Sequence, residues 1–309
     1  MDIDNVNDND NDNSNKSYLN IACCLCVRNC YKFLPQIFYN LDLLSNEFNF
    51  FNVIFVYDNC NDKSNILLEA YKNKCNYKVF VINNINNKSP YRTVRIANAR
   101  NKCLDIIFNT IKNIDFHFMI DSDDININKW NIDIIKKYLN TNNWDAISFN
   151  REKYYDIWAL LYDNYKHHCW GYKDTVIAHK ICDHMQTDIQ NKLNNIDNIN
   201  ENDENETSEK NETTEDKDKL FECLSAFNGF AIYRTNKFNN ILYDGLYENI
   251  KTLISDDERN ETKLFLQTIF PDQSIEIDEK QIELCEHIYY NLSAIKLNNA
   301  RIRISKHCL

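Results

Sequence analysis

Apolar runs alternate with amphipathic stretches along the first half of the chain. The apolar runs are short, as in strands buried within a parallel sheet, and they cover 18–27, 51–57, 78–82, 116–120 and 144–149. Between them, apolar residues recur every three or four positions, the spacing of a helix with one buried face, at 32–45, 64–72, 96–109 and 128–139. This alternation predicts an α/β fold. The second half is less regular, with sheet predicted over 223–233 and a strand or short helix over 282–291.

Two polar segments break this pattern, and they carry the net charge of the chain. Of a formal charge of −11, residues 1–16 contribute five Asp against one Lys, and residues 186–219 contribute eleven acidic residues against four Lys. Both contain too few apolar residues to repay the entropy of ordering. We therefore expect a disordered acidic tail at 1–17 and one domain over 18–309, with a disordered and functionally inert acidic insertion at about 186–219. The nearly neutral remainder predicts no nucleic-acid partner, because such binding needs a basic face.

The twelve cysteines are expected to be reduced thiols in a cytoplasmic protein. No signal peptide is recognisable, and no stretch approaches the ~18 apolar residues of a membrane-spanning helix. Four early cysteines could indicate a zinc site, but they lie in an apolar strand without paired Cys-x-x-Cys motifs and fit small core residues better. These four are Cys23, Cys24, Cys26 and Cys30.

Glycine is scarce, since the chain has only Gly171, Gly229 and Gly245. A Rossmann turn and a Walker phosphate loop each need several glycines close together. The composition excludes both loops. If this α/β sheet binds a nucleotide, side chains and a metal ion have to hold its phosphates.

The run His117–Asp124 carries the most informative motif, a buried strand that ends in Asp121, Asp123 and Asp124. Side chains alternate along a strand, so the first two carboxylates can face the same way. They repel each other unless a cation lies between them, and oxygen ligands select Mg²⁺ or Mn²⁺. Ligands of α/β sheets bind beyond such strand ends. The alternative is an acidic turn that caps the following helix.

Three further signals fall at strand ends or helix starts of the same predicted sheet. The first strand ends at Val27-Arg28, the second ends at Tyr57-Asp58, and the segment 92–101 places arginines at helical spacing before an apolar stripe. The ordered set resembles the nucleotide-sugar-binding half of GT-A glycosyltransferases that have an Asp-x-Asp motif. Tyr155-Asp156-Ile157-Trp158 makes the capsule-associated mannosyltransferase-like group the closest likeness, which covers about 18–165.

The resemblance implies a GT-A-like, Rossmann-like fold whose mostly parallel sheet is flanked by helices. Residues 18–125 would form the nucleotide-sugar half and residues 144–309 an irregular acceptor half. The implied activity is transfer of a hexose, such as mannose, from a nucleotide diphosphate sugar to a glycan or other hydroxyl acceptor, with Mn²⁺ or Mg²⁺ as cofactor. A microbial or virus-infected cell with soluble sugar chemistry would suit such an enzyme.

The resemblance also assigns roles to individual residues. Those implied for the donor are Arg28, Asp58, Arg95, Arg100 and Asp121. Those implied for the metal are Asp121, Asp123, Asp124 and the late ligand His287. An inverting enzyme would also need a carboxylate base near the acceptor. The sequence does not choose among the candidates for this base, which are Asp156, Asp244 and the pair Asp256 and Asp257, with Asp257 preferred within that pair. It also leaves the stereochemical outcome open.

Two other functions remain open. A nucleotidyltransferase also places paired acidic residues on an α/β sheet, but it usually has a glycine-rich loop after the first strand, where this chain has none. A non-catalytic GT-A-like module that binds a glycan or a partner is the other alternative. Some residues also have structural alternatives. Arg100 could form an ion pair with Asp105 or another carboxylate, and the aromatic residues from 154 to 172 could be core or a platform for an acceptor sugar.

Overall fold

A computed structural model describes residues 16–84, 88–197 and 219–309. Its strands are β1 Ser17–Val27, β2 Phe48–Tyr57, β3 Lys78–Asn83, β4 Phe116–Asp121, β5 Ala146–Asn150, β6 Phe221–Cys223, β7 Phe230–Arg234 and β8 Ile302–Cys308. Its α-helices are α1 Leu34–Ser45, α2 Ser64–Lys72, α3 Arg92–Asp105, α4 Ile132–Leu139, α5 Thr175–Asn194, α6 Tyr247–Lys251, α7 Asp256–Ile269 and α8 Glu286–Asn298.

The eight strands form one mixed sheet in the order β3-β2-β1-β4-β7-β5-β8-β6. Strands β3, β2, β1 and β4 are mutually parallel. Strand β7 runs antiparallel between β4 and β5, β8 is parallel to β5, and β6 is antiparallel to β8. The predicted α/β class, with its sheet flanked by helices and an irregular second half, is confirmed. The parallel pairings that the sequence predicted are concentrated in the first half.

Helices cover both faces of the sheet because the central strands are apolar on both sides. Along β1, Ile21, Cys23 and Leu25 pack in the core layer that contains α1, α2 and α4. The intervening Ala22 and Cys24 pack in the layer that contains α3, α5 and α8. Both cysteines are fully buried, which confirms that they are small core residues.

The prediction of disorder from residue 186 onward is wrong for its first residues. Residues 186–194 belong to α5, where Ile181, Met185, Ile189 and Leu193 recur every four residues and are buried. This apolar stripe outweighs the polar composition of the segment, because a helix needs only one apolar face. The predictions made for 1–15 and 198–218 lie outside the described residues. Across the described part of the chain, no helix combines the length and apolar character needed to cross a bilayer.

Candidate active site

The carboxyl ends of β1, β2 and β4 meet at one edge of the sheet. Cys26 of β1 is opposite Asp121 of β4, and Val27 is opposite Tyr57 of β2. The backbone N–H of Asp58 donates to the carbonyl of Val27 at 3.1 Å, which carries the pairing one residue past β2. A cavity of about 430 Å³ opens at this edge. Its volume lies within the range of roughly 300–1,000 Å³ usual for small-molecule sites.

Most of the residues that the sequence singled out are brought together at this cavity. Those that line it are Arg28, Asp58, Arg95, Arg100, Asp121, Asp123, Asp156 and His287. Three others do not line it, namely Asp124, Asp244 and Asp257. Residues separated by as many as 259 positions in the sequence therefore line one cavity, and the two late candidates for the base lie outside its lining.

The two carboxylates at the end of β4 lie in an environment that disfavours their charge. Burial raises the pKa of Asp121 to about 6, the carboxylates of Asp123 and Glu286 add to this rise, and Arg100 opposes it. Burial also raises the pKa of Asp123, with a contribution from Asp124. A divalent cation between the pair would reverse this preference, because it would stabilise both negative charges.

Arg100 is the buried cation of the site, with 4% of its side chain exposed. Its Nη2 lies 3.2 Å from Oδ1 of Asp121, and its Nε lies 2.9 Å from Oε1 of Glu286. The guanidinium carbon also lies 4.7 Å from the ring centre of Phe227. The alternative of an ion pair between Arg100 and a carboxylate is confirmed, but Asp105 is the wrong partner, because that carboxylate pairs with Lys102 at 2.9 Å.

Glu286 is a cavity residue that the sequence analysis missed. It is buried and begins α8, where the positive end of the helix dipole favours a carboxylate. The adjacent His287 drew attention because histidine is a common metal ligand. The acid beside it showed no local signal, because its partner Arg100 lies 186 positions earlier in the chain.

His287 is enclosed by aromatic groups. Its ring stacks on Phe227 with 3.7 Å between the ring centres, and its Nδ1 lies 3.3 Å from the hydroxyl of Tyr233. Burial lowers the pKa of His287 well below its usual value, and Arg100 lowers it further. The imidazole is therefore neutral. Its Nε2 lies 3.9 Å from Oε1 of Glu286, which is too long for a direct hydrogen bond.

The four metal ligands implied by the resemblance are not assembled into one site. Within 16–84, 88–197 and 219–309, no three side chains of the His, Cys, Asp or Glu type are grouped so that they could hold a metal ion. Asp124 is exposed because it begins the short 3-10 turn Asp124–Asn126. Asp121 and Asp123 remain as a pair. Such a pair suits an ion like Mg²⁺, which binds through one or two carboxylates together with substrate phosphates and water.

Asp156 is the candidate for the base that the fold places at the cavity. Burial, with smaller contributions from the carboxylates of Asp121 and Glu286, raises its pKa to about 7. Its backbone N–H donates to Oδ1 of Asn228 at 3.1 Å, and that of Tyr155 donates to the same oxygen at 2.7 Å. Asn228 therefore holds this loop against the cavity. Its amide was not predicted, because such a contact joins residues 72 positions apart.

Asp156 also has a local role, since its Oδ1 accepts from the backbone N–H of Ala159 at 3.3 Å and caps the turn Ile157–Ala159. Asp244 and Asp257 have local structural surroundings away from the cavity. Asp244 accepts hydrogen bonds from the backbone N–H of Leu246 at 2.8 Å and from Nδ2 of Asn249 at 2.7 Å. Asp257 is exposed in the first turn of α7, next to the Ser255–Glu258 capping box. Acidic residues are common at turns and helix starts, so composition alone could not separate them from a catalytic carboxylate.

The other residues that the resemblance implies for the nucleotide-sugar donor also line the cavity. Arg28 is exposed at the end of β1, and Asp58 is buried at the end of β2. Nη1 of Arg95 donates to the carbonyls of Ser89 and Pro90 at 2.8 Å each. Arg95 thus holds the loop that precedes α3, which orients that helix toward the cavity.

No family model and no curated protein matches this chain. A matching solved structure is S. aureus TarS 1–349, which is 15% identical and is matched over 86% of this chain and 60% of that one, with a TM-score of 0.37. Another is glucosyl-3-phosphoglycerate synthase from Mycobacterium tuberculosis in complex with Mn²⁺ and UDP, at 10% identity, 82% and 66% coverage and a TM-score of 0.39. The mannosyltransferase PcManGT from Pyrobaculum calidifontis with GDP-Man and Mn²⁺ matches at 12% identity, 44% and 36% coverage and a TM-score of 0.32.

These matches identify no substrate, since the identities are 10–15% and the TM-scores are 0.32–0.39. The chain spans 60% of the TarS 1–349 structure. Function is therefore inferred from the residues of the cavity.

Proposed function

We propose that this protein is a metal-dependent glycosyltransferase that moves a hexose from a nucleotide diphosphate sugar to a hydroxyl acceptor. The observation that carries the proposal is the carboxylate pair Asp121 and Asp123 at the end of a central strand. This pair shares a cavity of about 430 Å³ with Asp58 and with several arginines. Carboxylates with raised pKa values beside fixed cations suit a ligand that brings both a metal ion and a diphosphate.

Each part of the donor has a candidate partner. Asp121 and Asp123 would hold Mn²⁺ or Mg²⁺, and Arg28 at the mouth would contact the diphosphate through bidentate hydrogen bonds. Asp58 at the end of β2 would accept hydrogen bonds from the nucleoside. When bound, the metal ion would neutralise the charge that develops on the leaving diphosphate.

Asp156 would accept the proton of the acceptor hydroxyl, which corresponds to an inverting reaction. It lines the cavity, and its pKa of about 7 matches what a general base needs near neutral pH. Tyr155 next to it lines the same cavity and is 50% exposed. An exposed aromatic ring beside a carboxylate is a suitable surface for the apolar face of an acceptor sugar.

The nucleotidyltransferase alternative is less well supported. The turn between β1 and α1 contains no glycine, and close backbone approach to a triphosphate commonly requires glycine. The non-catalytic module differs from the proposed enzyme in one testable property, because it has no need for metal-dependent nucleotide binding.

A thermal-shift panel of UDP-, GDP- and CDP-sugars with Mn²⁺, and with EDTA as control, tests the proposal. A ligand that binds the native state raises the melting temperature by mass action. We expect a metal-dependent shift with one class of donor, which is lost in Asp121→Asn and Asp123→Asn. Asp124→Asn is the matched control, since this exposed residue of the same acidic run does not line the cavity. A cooperative melt with no shift for any donor would reject the enzyme in favour of the non-catalytic module.

A further inference from the structure

Arg100, Trp158 and His287 line the cavity, and we call the surface that they form its inner wall. Each has one buried nitrogen atom that lacks a hydrogen-bond partner among the described residues. These atoms are Nη1 of Arg100, Nε1 of Trp158 and Nε2 of His287. The three side chains come from α3, from the 3-10 turn Ile157–Ala159 and from α8, and all of them line the cavity. Buried donors are normally paired, so three unpaired ones on one wall indicate a place for ligand oxygen atoms.

The hydroxyl of Tyr233 lies 3.3 Å from Nδ1 of His287. If this hydroxyl donates, the proton of the neutral imidazole is on Nε2. The Nε2 atom then acts as a donor beside the cavity. This role differs from that of a metal ligand, which would have to present a lone pair at the same nitrogen.

The same wall also carries two acceptors, the carboxylates of Asp156 and Glu286. Oε1 of Glu286 lies 3.9 Å from Nε2 of His287 and 2.9 Å from Nε of Arg100. A gap of 3.9 Å is too long for a direct hydrogen bond, but a single oxygen atom can bridge it. Glu286 therefore lies between two donors, Arg100 and His287, and Asp156 is a second carboxylate that lines the same cavity.

The presence of both donors and carboxylates in one cavity selects a class of ligand. A hydroxyl group both donates and accepts, so neighbouring hydroxyls on a sugar ring can pair with a carboxylate and with an N–H at once. A ligand carboxylate could use the donors but would be repelled by Asp156 and Glu286. An N-acetyl group would replace one hydroxyl with a larger group that carries a methyl. The wall therefore suits an uncharged sugar whose neighbouring hydroxyls are free.

The position of the wall indicates which part of the substrate it contacts. Arg100 contacts Asp121 through Nη2 at 3.2 Å, so the wall begins at the carboxylate pair, where the diphosphate of the donor would lie. The diphosphate is bonded to the nucleoside on one side and to the transferred sugar on the other. Asp58, the proposed partner of the nucleoside, follows β2 on one side of β4 in the sheet, whereas His287 stacks on Phe227, which precedes β7 on the other side of β4. The wall is therefore assigned to the transferred sugar.

We propose that Arg100, Trp158, Glu286 and His287 form the pocket for the transferred sugar, and that this sugar is a neutral hexose with free neighbouring hydroxyls. The inference rests on the proposed transferase function and specifies its donor. Trp158 and His287 supply hydrogen bonds to the sugar, and Glu286 both accepts one and holds Arg100 in place.

Calorimetric titration in the presence of Mn²⁺ tests the pocket separately from the function. The probes are UDP, GDP and CDP, and then the sugar conjugates of whichever nucleoside diphosphate binds. We expect the neutral-hexose conjugate to bind about tenfold more tightly than the bare nucleoside diphosphate, and conjugates of N-acetylhexosamine or uronic acid to show no such gain, since tenfold corresponds to about one well-made hydrogen bond.

Trp158→Phe removes the indole N–H and keeps an aromatic ring, so it should abolish most of the gain from the hexose and leave binding of the bare nucleoside diphosphate unchanged. His287→Phe, which keeps the stacking on Phe227, is the second variant in case the first does not fold. Trp170→Phe is the matched control, because this tryptophan is 41% exposed and does not line the cavity.

The possible failures are distinct. A gain from the hexose that survives in both variants, or tighter binding of the uronic acid or N-acetylhexosamine conjugate, overturns the sugar pocket and leaves the transferase intact. If no nucleoside diphosphate binds in the presence of metal, the transferase and the pocket are both rejected.

Discussion

At the scale of single residues, Asp156 is the carboxylate whose ionisation should govern the reaction. A base has to be deprotonated, so kcat/KM should rise with pH through the pKa of this group, which burial raises to about 7 and which a bound divalent cation nearby would lower. Asp156→Asn should lower kcat/KM by about 10²–10⁴-fold and remove the rise, because an amide cannot accept the proton. Initial rates between about pH 5 and pH 9 measure both effects.

Asp244→Asn is the control for this experiment, because that carboxylate caps a turn outside the cavity. It should keep the wild-type pH profile. If Asp156→Asn kept it as well, Asp156 would not be the base, and a retaining reaction without such a base would be favoured.

Substitution of Arg100 should change the free energy of unfolding. Arg100→Ala leaves the carboxylates of Asp121 and Glu286 without the cation that offsets them, and breaking a buried ion pair costs about 3–5 kcal/mol. The loss should be largest above pH 7 and smaller near pH 5, because the pKa of Asp121, already raised to about 6 by burial, rises further without Arg100. A carboxyl with a raised pKa takes up a proton as the pH falls, which removes the unpaired charge from the folded state.

Urea unfolding of this variant at both pH values measures the difference. Lys102→Ala on the same helix is the comparison, since the side chains of Lys102 and its partner Asp105 are 46% and 44% exposed. An exposed pair contributes at most about 1 kcal/mol. Equal losses for the two variants would show that Arg100 is not the buried cation of the site.

At the scale of elements, the residues at strand ends could be predicted from the sequence. Contacts between residues far apart in the sequence could not. Arg28, Asp58 and Asp121 each follow an apolar run directly, so their meeting at one sheet edge follows from the parallel order of the strands. Glu286 meets Arg100 across 186 positions, and Asn228 holds the loop that carries Asp156 across 72 positions. No spacing rule covers such contacts, because the turns of the irregular half decide them.

Helix α5 shows that amino-acid composition alone can predict disorder where a helix with one buried face forms. The polar residues on its outer face led to a prediction of disorder from residue 186 onward, although its inner face is continuous. Leu193→Ala near its end should cost about 2–5 kcal/mol, as expected for a large side chain removed from a packed core. Chemical denaturation measures this loss. Leu264→Ala on α7 is the control, since Leu264 is 68% exposed, and an equally small change for both would mean that 186–194 is not packed.

At the scale of the whole molecule, Asp197 and Lys219, the residues on either side of the gap at 198–218, lie close together. Nζ of Lys219 donates to the carbonyl of Asp197 at 3.4 Å. A linker of about four residues, at up to 3.6 Å per residue, can therefore join these positions. Replacing residues 198–218 by such a Gly-Ser linker should leave the melting temperature and metal-dependent donor binding unchanged. Loss of donor binding with an unchanged melting temperature would show that the segment takes part in the site.

The cavity is closed by segments that are made at very different times. The backbone N–H of Asp121 donates to the carbonyl of Gly229 at 2.9 Å, and Arg100 meets Glu286 only after a further 186 residues of chain. Ribosomes build a protein from its amino terminus, at about 5–20 residues per second. Strands β1 to β4 therefore exist for several seconds before β7 and α8 can join them. A nascent chain that ends before α8 has Asp121 and Asp123 without Glu286 and His287, so we expect it to lack the complete cavity.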